Sequence, residues 1–186
     1  MSGLTEHSFG HTLVAGCDPS SKKFAVVVDH PDGRVSTHVW QSTTKKWEPS
    51  SCLSVSEWIR CEFGRMEPGT VWIEDPVVGR AGVHATVVQS FMSGAAQASF
   101  MSLGWQVRMV NVMVWKRDII GHGKASKDDV AGAVATHWPD ALAPINGDGD
   151  LTDAAAICLY GLRVRDVADR LGRDGVAGEG SLPGAH

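Results

Sequence analysis

An apolar run, Leu13-Val14-Ala15-Gly16-Cys17, ends on Asp18 and breaks at once into Pro19-Ser20-Ser21. A second apolar run, Phe24 to Val28, follows. Short apolar segments bounded by turn residues read as strands, so the two runs predict a buried strand and its hairpin partner. An acid at the end of the first strand is poorly placed for packing. It is well placed to hold a metal ion over the end of a sheet. The fold must therefore be sheet-based, with Asp18 at a strand end.

The rest of the chain fits around that hairpin. His30-Pro31-Asp32-Gly33-Arg34 is a turn, and Val35 to Trp40 alternates into a third strand, completing an antiparallel meander. Ser42 to Ser51 is polar and reads as a loop. From Ser54 to Phe63 the apolar residues Val55, Trp58, Ile59 and Phe63 recur with a helical period after a serine start. Val71-Trp72-Ile73-Glu74-Asp75-Pro76 is a short strand stopped by proline, which leaves Glu74 near its end. A helix is expected over 83–103, striped by Val87, Phe91, Ala95 and Ala98 and otherwise rich in small residues. Trp105 to Asn111 is a further strand, and Met113 to Arg117 follows without an assigned element. Gly121 to Lys127 is a mobile basic loop, Lys127 to Trp138 a helix ended by Pro139, and 140–149 a loop. The last helix runs from Thr152 to about Leu171, its apolar face supplied by Ala155, Ala156, Leu159, Leu162, Val167 and Leu171.

The element order is thus β-β-β-α-β-α-β-α-α, an α/β chain with a mixed β-sheet flanked by helices. One domain over 12–171 is expected, with flexible tails at 1–11 and 172–186. A length of 186 residues suits one full core, and 43% hydrophobic with 20% charged residues suits a soluble globular protein. No apolar stretch approaches membrane-spanning length, and the N-terminus lacks a basic-then-apolar signal pattern. Cys17, Cys52, Cys61 and Cys158 are scattered without a Cys-x-x-Cys pair, which points to a reducing, cytoplasmic setting without structural zinc.

The net charge of −4 argues at first against a nucleic-acid partner. Its distribution reverses that impression. Between positions 80 and 127 the bases are Arg80, Arg108, Lys116, Arg117, Lys124 and Lys127, against the single acid Asp118. Local charge governs attraction to phosphate more than the global sum does.

Four acids share one structural logic. Asp18 and Glu74 end two strands that can be neighbours, and Asp150 and Asp153 bracket the start of the last helix at a spacing that faces one way. Brought together they would repel one another unless cations neutralised them, and hard divalent ions are the natural partners. Mg²⁺ suits carboxylate-plus-water coordination, with Mn²⁺ as its substitute. Taken singly, Asp150 could be a helix N-cap with Asp153 near the helix dipole, and Glu74 a solvated strand-end acid.

The motifs resemble those of the RuvC-type Holliday junction resolvases, which have the RNase H-like fold. Gly16-Cys17-Asp18-Pro19-Ser20-Ser21 is similar to their Gly-x-Asp-Pro-Gly-Ser turn, and Val71-Trp72-Ile73-Glu74 to their second acid strand. The segment from Lys116 through Gly121, Gly123 and Ala125 to Lys127 is similar to their Lys-x-x-Val-Val-Gly-x-Gly-x-Ala-x-Lys run. Asp150-Leu151-Thr152-Asp153-Ala154 matches their closing Asp-x-x-Asp-Ala. The resemblance covers about residues 13–165, in the family's order. It implies a Mg²⁺-dependent endonuclease that cleaves four-way DNA junctions by two-metal hydrolysis, working as a homodimer. Asp18, Glu74, Asp150 and Asp153 would be the metal ligands and catalytic acids, with Lys116 and Lys127 beside them on the phosphate. Arg80, Lys116, Arg117, Lys124 and Lys127 would contact DNA; for Arg117 and Lys124 a solvated basic loop is the alternative. The 83–103 helix would be the dimer interface, since small side chains let two helices approach closely; an ordinary core helix is the alternative.

Two positions depart from the pattern. Ser20 replaces the turn glycine, and Val77 stands where the family commonly has an aromatic that stacks at the junction. Broader action on branched DNA is therefore expected, as in bacteriophage relatives that clear branches before packaging, with the host cytoplasm as the setting. The alternatives are a structured-RNA nuclease of the same fold and a non-catalytic DNA-binding scaffold. An actin-like ATPase, of the same fold group, needs a second domain and a second phosphate loop that this chain lacks.

Overall fold

A computed structural model describes residues 12–44, 46–77, 82–139 and 147–177, with side chains up to 171. The strands are β1 (Val14–Pro19), β2 (Lys23–Asp29), β3 (Val35–Gln41), β4 (Thr70–Glu74) and β5 (Gln106–Val110). The helices are α1 (Ser50–Phe63), α2 (Gly82–Ser102), α3 (Val112–Ile120), α4 (Lys127–His137) and α5 (Gly149–Ala177). The strands form one sheet in the order β3-β2-β1-β4-β5. The meander pairs antiparallel, while β4 joins β1 and β5 joins β4 in parallel. This is the mixed sheet flanked by helices that the element order predicts.

The strand alternation divides the core into two layers. Leu13, Ala15 and Cys17 of the β1 segment and Val71 and Ile73 of β4 pack with α1 and α2, around Phe63, Met92 and Phe100. Val14 packs on the opposite face with Trp115, Val130, Ala154, Ile157 and Cys158 of α3, α4 and α5, where Trp72 joins it. Successive side chains along a strand point to opposite faces, so Asp18 falls on the α5 face with Val14 and Gly16. By the same count Glu74 shares that face with Trp72.

Gly16 sets how close α5 comes. A Cβ there would lie 2.2 Å from both the Ala154 carbonyl oxygen and the Cys158 amide nitrogen. The Cys158 thiol donates to the Val14 carbonyl at 3.3 Å across the same contact. Gly161 does the same for Trp72, whose indole Cδ1 would be 2.4 Å from an added Cβ. Helix and sheet therefore touch backbone to backbone, which fixes the start of α5 over the end of β1.

Several elements differ from the sequence expectation. Helix α1 begins at Ser50 rather than Ser54, because Pro49 already has helical dihedrals (φ −55°, ψ −29°) and proline is favoured at a helix entry. Helix α3 fills the unassigned stretch: its run of Val112, Met113, Val114 and Trp115 looks strand-like, but Asn111 accepts the Met113 N–H and Gly121 closes the helix at φ +100°. Helix α5 begins at Gly149 rather than Thr152 and continues to Ala177, into the expected 172–186 tail. The stripe of Val87 and Phe91 on α2 faces solvent, while Val88, Met92, Ala96 and Phe100 face the core. The expected 1–11 tail and most of the 140–149 loop lie outside the described residues.

A polar chain braces the β2–β3 hairpin. Arg34 Nη2 lies 3.2 Å from His30 Nδ1, His30 Nε2 is 2.8 Å from Ser36 Oγ, Ser36 Oγ is 3.0 Å from His38 Nε2, and His38 Nδ1 is 3.0 Å from Glu62. A guanidinium only donates, so His30 accepts at Nδ1 and donates from Nε2 to Ser36. Ser36 then donates to His38, which donates to the Glu62 carboxylate. Burial and the Arg34 charge hold the His30 pKa below its ordinary value, consistent with a neutral ring.

Candidate active site

Asp18 and Glu74 stand one residue beyond the last registered pair of the parallel β1–β4 ladder, Cys17 opposite Ile73. They are therefore lateral neighbours on the α5 face. Burial pushes the Asp18 carboxyl well up, and the charges of Glu74, Asp153 and Asp150 push it further; Lys127 opposes them. The structure thus brings all four sequence-predicted acids into one electrostatic neighbourhood.

Glu74 has a partner that sequence reasoning missed. The indole Nε1 of fully buried Trp115 donates to Glu74 Oε2 at 2.9 Å. Burial raises the Glu74 pKa; that hydrogen bond and Lys116 lower it, while Asp153 raises it. Asp153 is raised by burial as well, against Lys116 and Lys127. Both lysines therefore act on the acids.

Lys116 points its ammonium to the Ala125 carbonyl at 3.2 Å and lies over the Trp115 ring. Lys127, the first residue of α4, is placed by a capping box in which Ser126 and Asp129 exchange hydrogen bonds. Its Nζ lies 3.0 Å from where a Cβ on Gly149 would sit, so the bare backbone there leaves it room at the start of α5. Arg117 is exposed and pairs with its neighbour Asp118 at 3.2 Å, and Lys124 is exposed on the α3–α4 loop. Neither is brought to the acids. Arg80 lies outside the described residues.

The N-cap role considered for Asp150 belongs to Asp148. Its Oδ1 accepts the N–H groups of Asp150 at 3.2 Å and Leu151 at 3.3 Å. Lys23, at the start of β2, ion-pairs with Asp148 and lies 3.6 Å from Asp150. The signal for the cap was present as an aspartate between Gly147 and Gly149. Lys23 had no signal, because its partners are more than a hundred residues away.

Among the described residues, no group of three or more His, Cys, Asp or Glu side chains could hold a metal ion as it stands. The acids are coupled by charge without forming a closed cage. They nevertheless fit a hard cation in donor type and charge: Asp18, Glu74 and Asp153 are all destabilised as anions by burial, and positive charge would relieve each.

The chain has a TM-score of 0.68 to a Thermus thermophilus RuvC structure, at 22% identity, covering 84% of this chain and 96% of that one. The fold is RuvC-like. A second structure, T. thermophilus RuvC in complex with a Holliday junction substrate, gives the same TM-score at 24% identity, over 80% of this chain and 92% of that one. No protein-family model matches the chain, and no curated protein matches it in sequence. No helix among the described residues is long and apolar enough to cross a membrane.

Proposed function

We propose that the chain is a Mg²⁺-dependent endonuclease that cleaves four-way and other branched DNA as a homodimer. The observation that carries this is the placement of Asp18 among Glu74, Asp150 and Asp153, with Lys127 as the opposing charge. The likeness to RuvC, which one structure holds with a Holliday junction substrate, supplies the substrate class. Bound to such carboxylates, a pair of divalent ions supplies an activated water and stabilises the leaving oxygen of a phosphodiester. Asp18, Glu74, Asp150 and Asp153 would hold them, and Mn²⁺ would substitute. Trp115 fixes the carboxylate of Glu74, and Lys116 and Lys127 offset the negative charge that DNA brings. Contacts of this kind position the backbone and do not read sequence.

Helix α2 supports the dimer. Val83, Val87, Phe91, Gly94, Ala98 and Met101 are all exposed and follow one another at spacings of three and four residues, a seam for a second helix. Val77 is 41% exposed and offers no ring to stack on a base, which favours action on several branch shapes. The test is cleavage of four-way, three-way and flap DNA, beside structured RNA. Glu74→Gln and Asp153→Asn should abolish cleavage and keep junction binding in a metal-free gel shift. Full activity in both variants would remove the acids from the reaction.

A further inference from the structure

Lys23 reaches from the first hairpin to make ion pairs with the acidic start of α5. Its ammonium pairs with Asp148, the cap of that helix, and reaches Asp150 at 3.6 Å. All three side chains are partly buried, with exposures of 24%, 26% and 36%, so the pairs are less screened than ordinary surface ion pairs. The backbone carrying Lys23 is fixed as well. Ser20 Oγ donates to the Lys23 carbonyl at 2.6 Å and accepts the Lys23 N–H at 2.9 Å, and the Ser20 N–H donates to the same carbonyl at 2.9 Å. Ser20 is the residue that departs from the glycine of the turn pattern. The departure thus has a use, since it locks the turn that delivers Lys23.

We propose that Lys23 is an internal counter-ion for Asp150, which it holds beside Asp148 and releases when a divalent cation takes that carboxylate. The inference rests on the metal reading of the acids above. The Lys23 ammonium, 3.6 Å from Asp150 Oδ2, and an incoming cation would compete for the same carboxylate. Lys23 is a positioning residue. It sets how much cation is needed before the site closes.

The experiment is Mn²⁺ titration of the intact protein, followed by electron paramagnetic resonance without any DNA present. Lys23→Met should bind Mn²⁺ about tenfold more tightly than the unmodified chain, because the competing charge is gone. Lys23→Arg keeps the charge and should bind as the unmodified chain does. Unchanged or weaker binding by Lys23→Met, at an unchanged melting temperature, would overturn the inference and leave the metal reading standing. Loss of Mn²⁺ binding in every form would overturn both. A measurement without substitution stands beside these: the ¹⁵N ammonium resonance of Lys23 should shift as Mg²⁺ saturates the protein. A resonance that does not move would also overturn the inference.

Discussion

The Trp115 indole donates to Glu74 at 2.9 Å, from α3, which packs against α4 and α5. A neutral donor on a partly buried carboxylate fixes its rotamer without cancelling its charge. That leaves the carboxylate available to a cation. Trp115→Phe keeps most of the ring volume and removes the donor, at a cost of about 1.5–3 kcal/mol for a hydrogen bond to a charged group. The expected outcome is a lower denaturation midpoint with unchanged m-value, and weaker Mn²⁺ binding. Retention of both would mean that the indole is packing alone.

The approach of α5 to β1 depends on Gly16. With backbone atoms 2.2 Å from an added Cβ, Gly16→Ala must move the helix or the strand. Overpacking of this kind typically costs about 1–3 kcal/mol, and rigid backbone on the far side puts the upper end in play. Urea denaturation should show the loss. Because the shift separates Asp18 from the start of α5, Mn²⁺ affinity should fall with it.

Asp18 makes the ion-free protein less stable than it could be. Its folded-state pKa is raised above the unfolded value of about 3.9, so the native state holds the proton more tightly. Stability is therefore lost as pH rises from the unfolded value through the folded one, and stays lower above it. Asp18→Asn removes the penalty. In EDTA at neutral pH its melting temperature should exceed that of the unmodified chain, at about 2–4 °C per kcal/mol for a chain of this size. Mg²⁺ should raise the unmodified chain and close the gap.

His30 carries the opposite dependence. A ring whose folded pKa is depressed contributes fully above the unfolded value of about 6.5, and that contribution is lost as pH falls toward the folded one. Melting temperature followed from pH 8 to pH 5 should decline less in His30→Gln than in the unmodified chain. Parallel profiles would remove the His30–Ser36 hydrogen bond from the account.

The mixed sheet flanked by helices, its antiparallel meander and the hairpin that carries Asp18 were legible in the sequence, because apolar alternation and turn residues are local in their cause. The missing parts have physical reasons. Helix α3 is nine residues long and opens on β-branched residues, so its period is weaker than its caps, Asn111 and Gly121. Trp115 carries no sequence signal for its role, because only the fold turns its N–H toward Glu74. Lys23 and Asp148 meet only through the tertiary structure, and no spacing rule links a residue of the first hairpin to a cap in the second half of the chain. Of the apolar stripe on α2, Val87, Phe91 and Ala98 are exposed while Ala95 packs partly against the core, a sidedness that the period alone does not assign. The stripe one position along, Val88 to Phe100, is the one that reaches the core.

The central claim is that these acids cleave branched DNA through divalent cations. The most direct measurement is single-turnover cleavage of a synthetic four-way junction by the purified chain, in Mg²⁺ and in EDTA, beside Asp18→Asn. The account predicts nicking in Mg²⁺, none in EDTA, and none by Asp18→Asn, with junction binding kept throughout. Cleavage that persists in EDTA or in Asp18→Asn, or junctions left intact in Mg²⁺ by a chain that binds them, would contradict it.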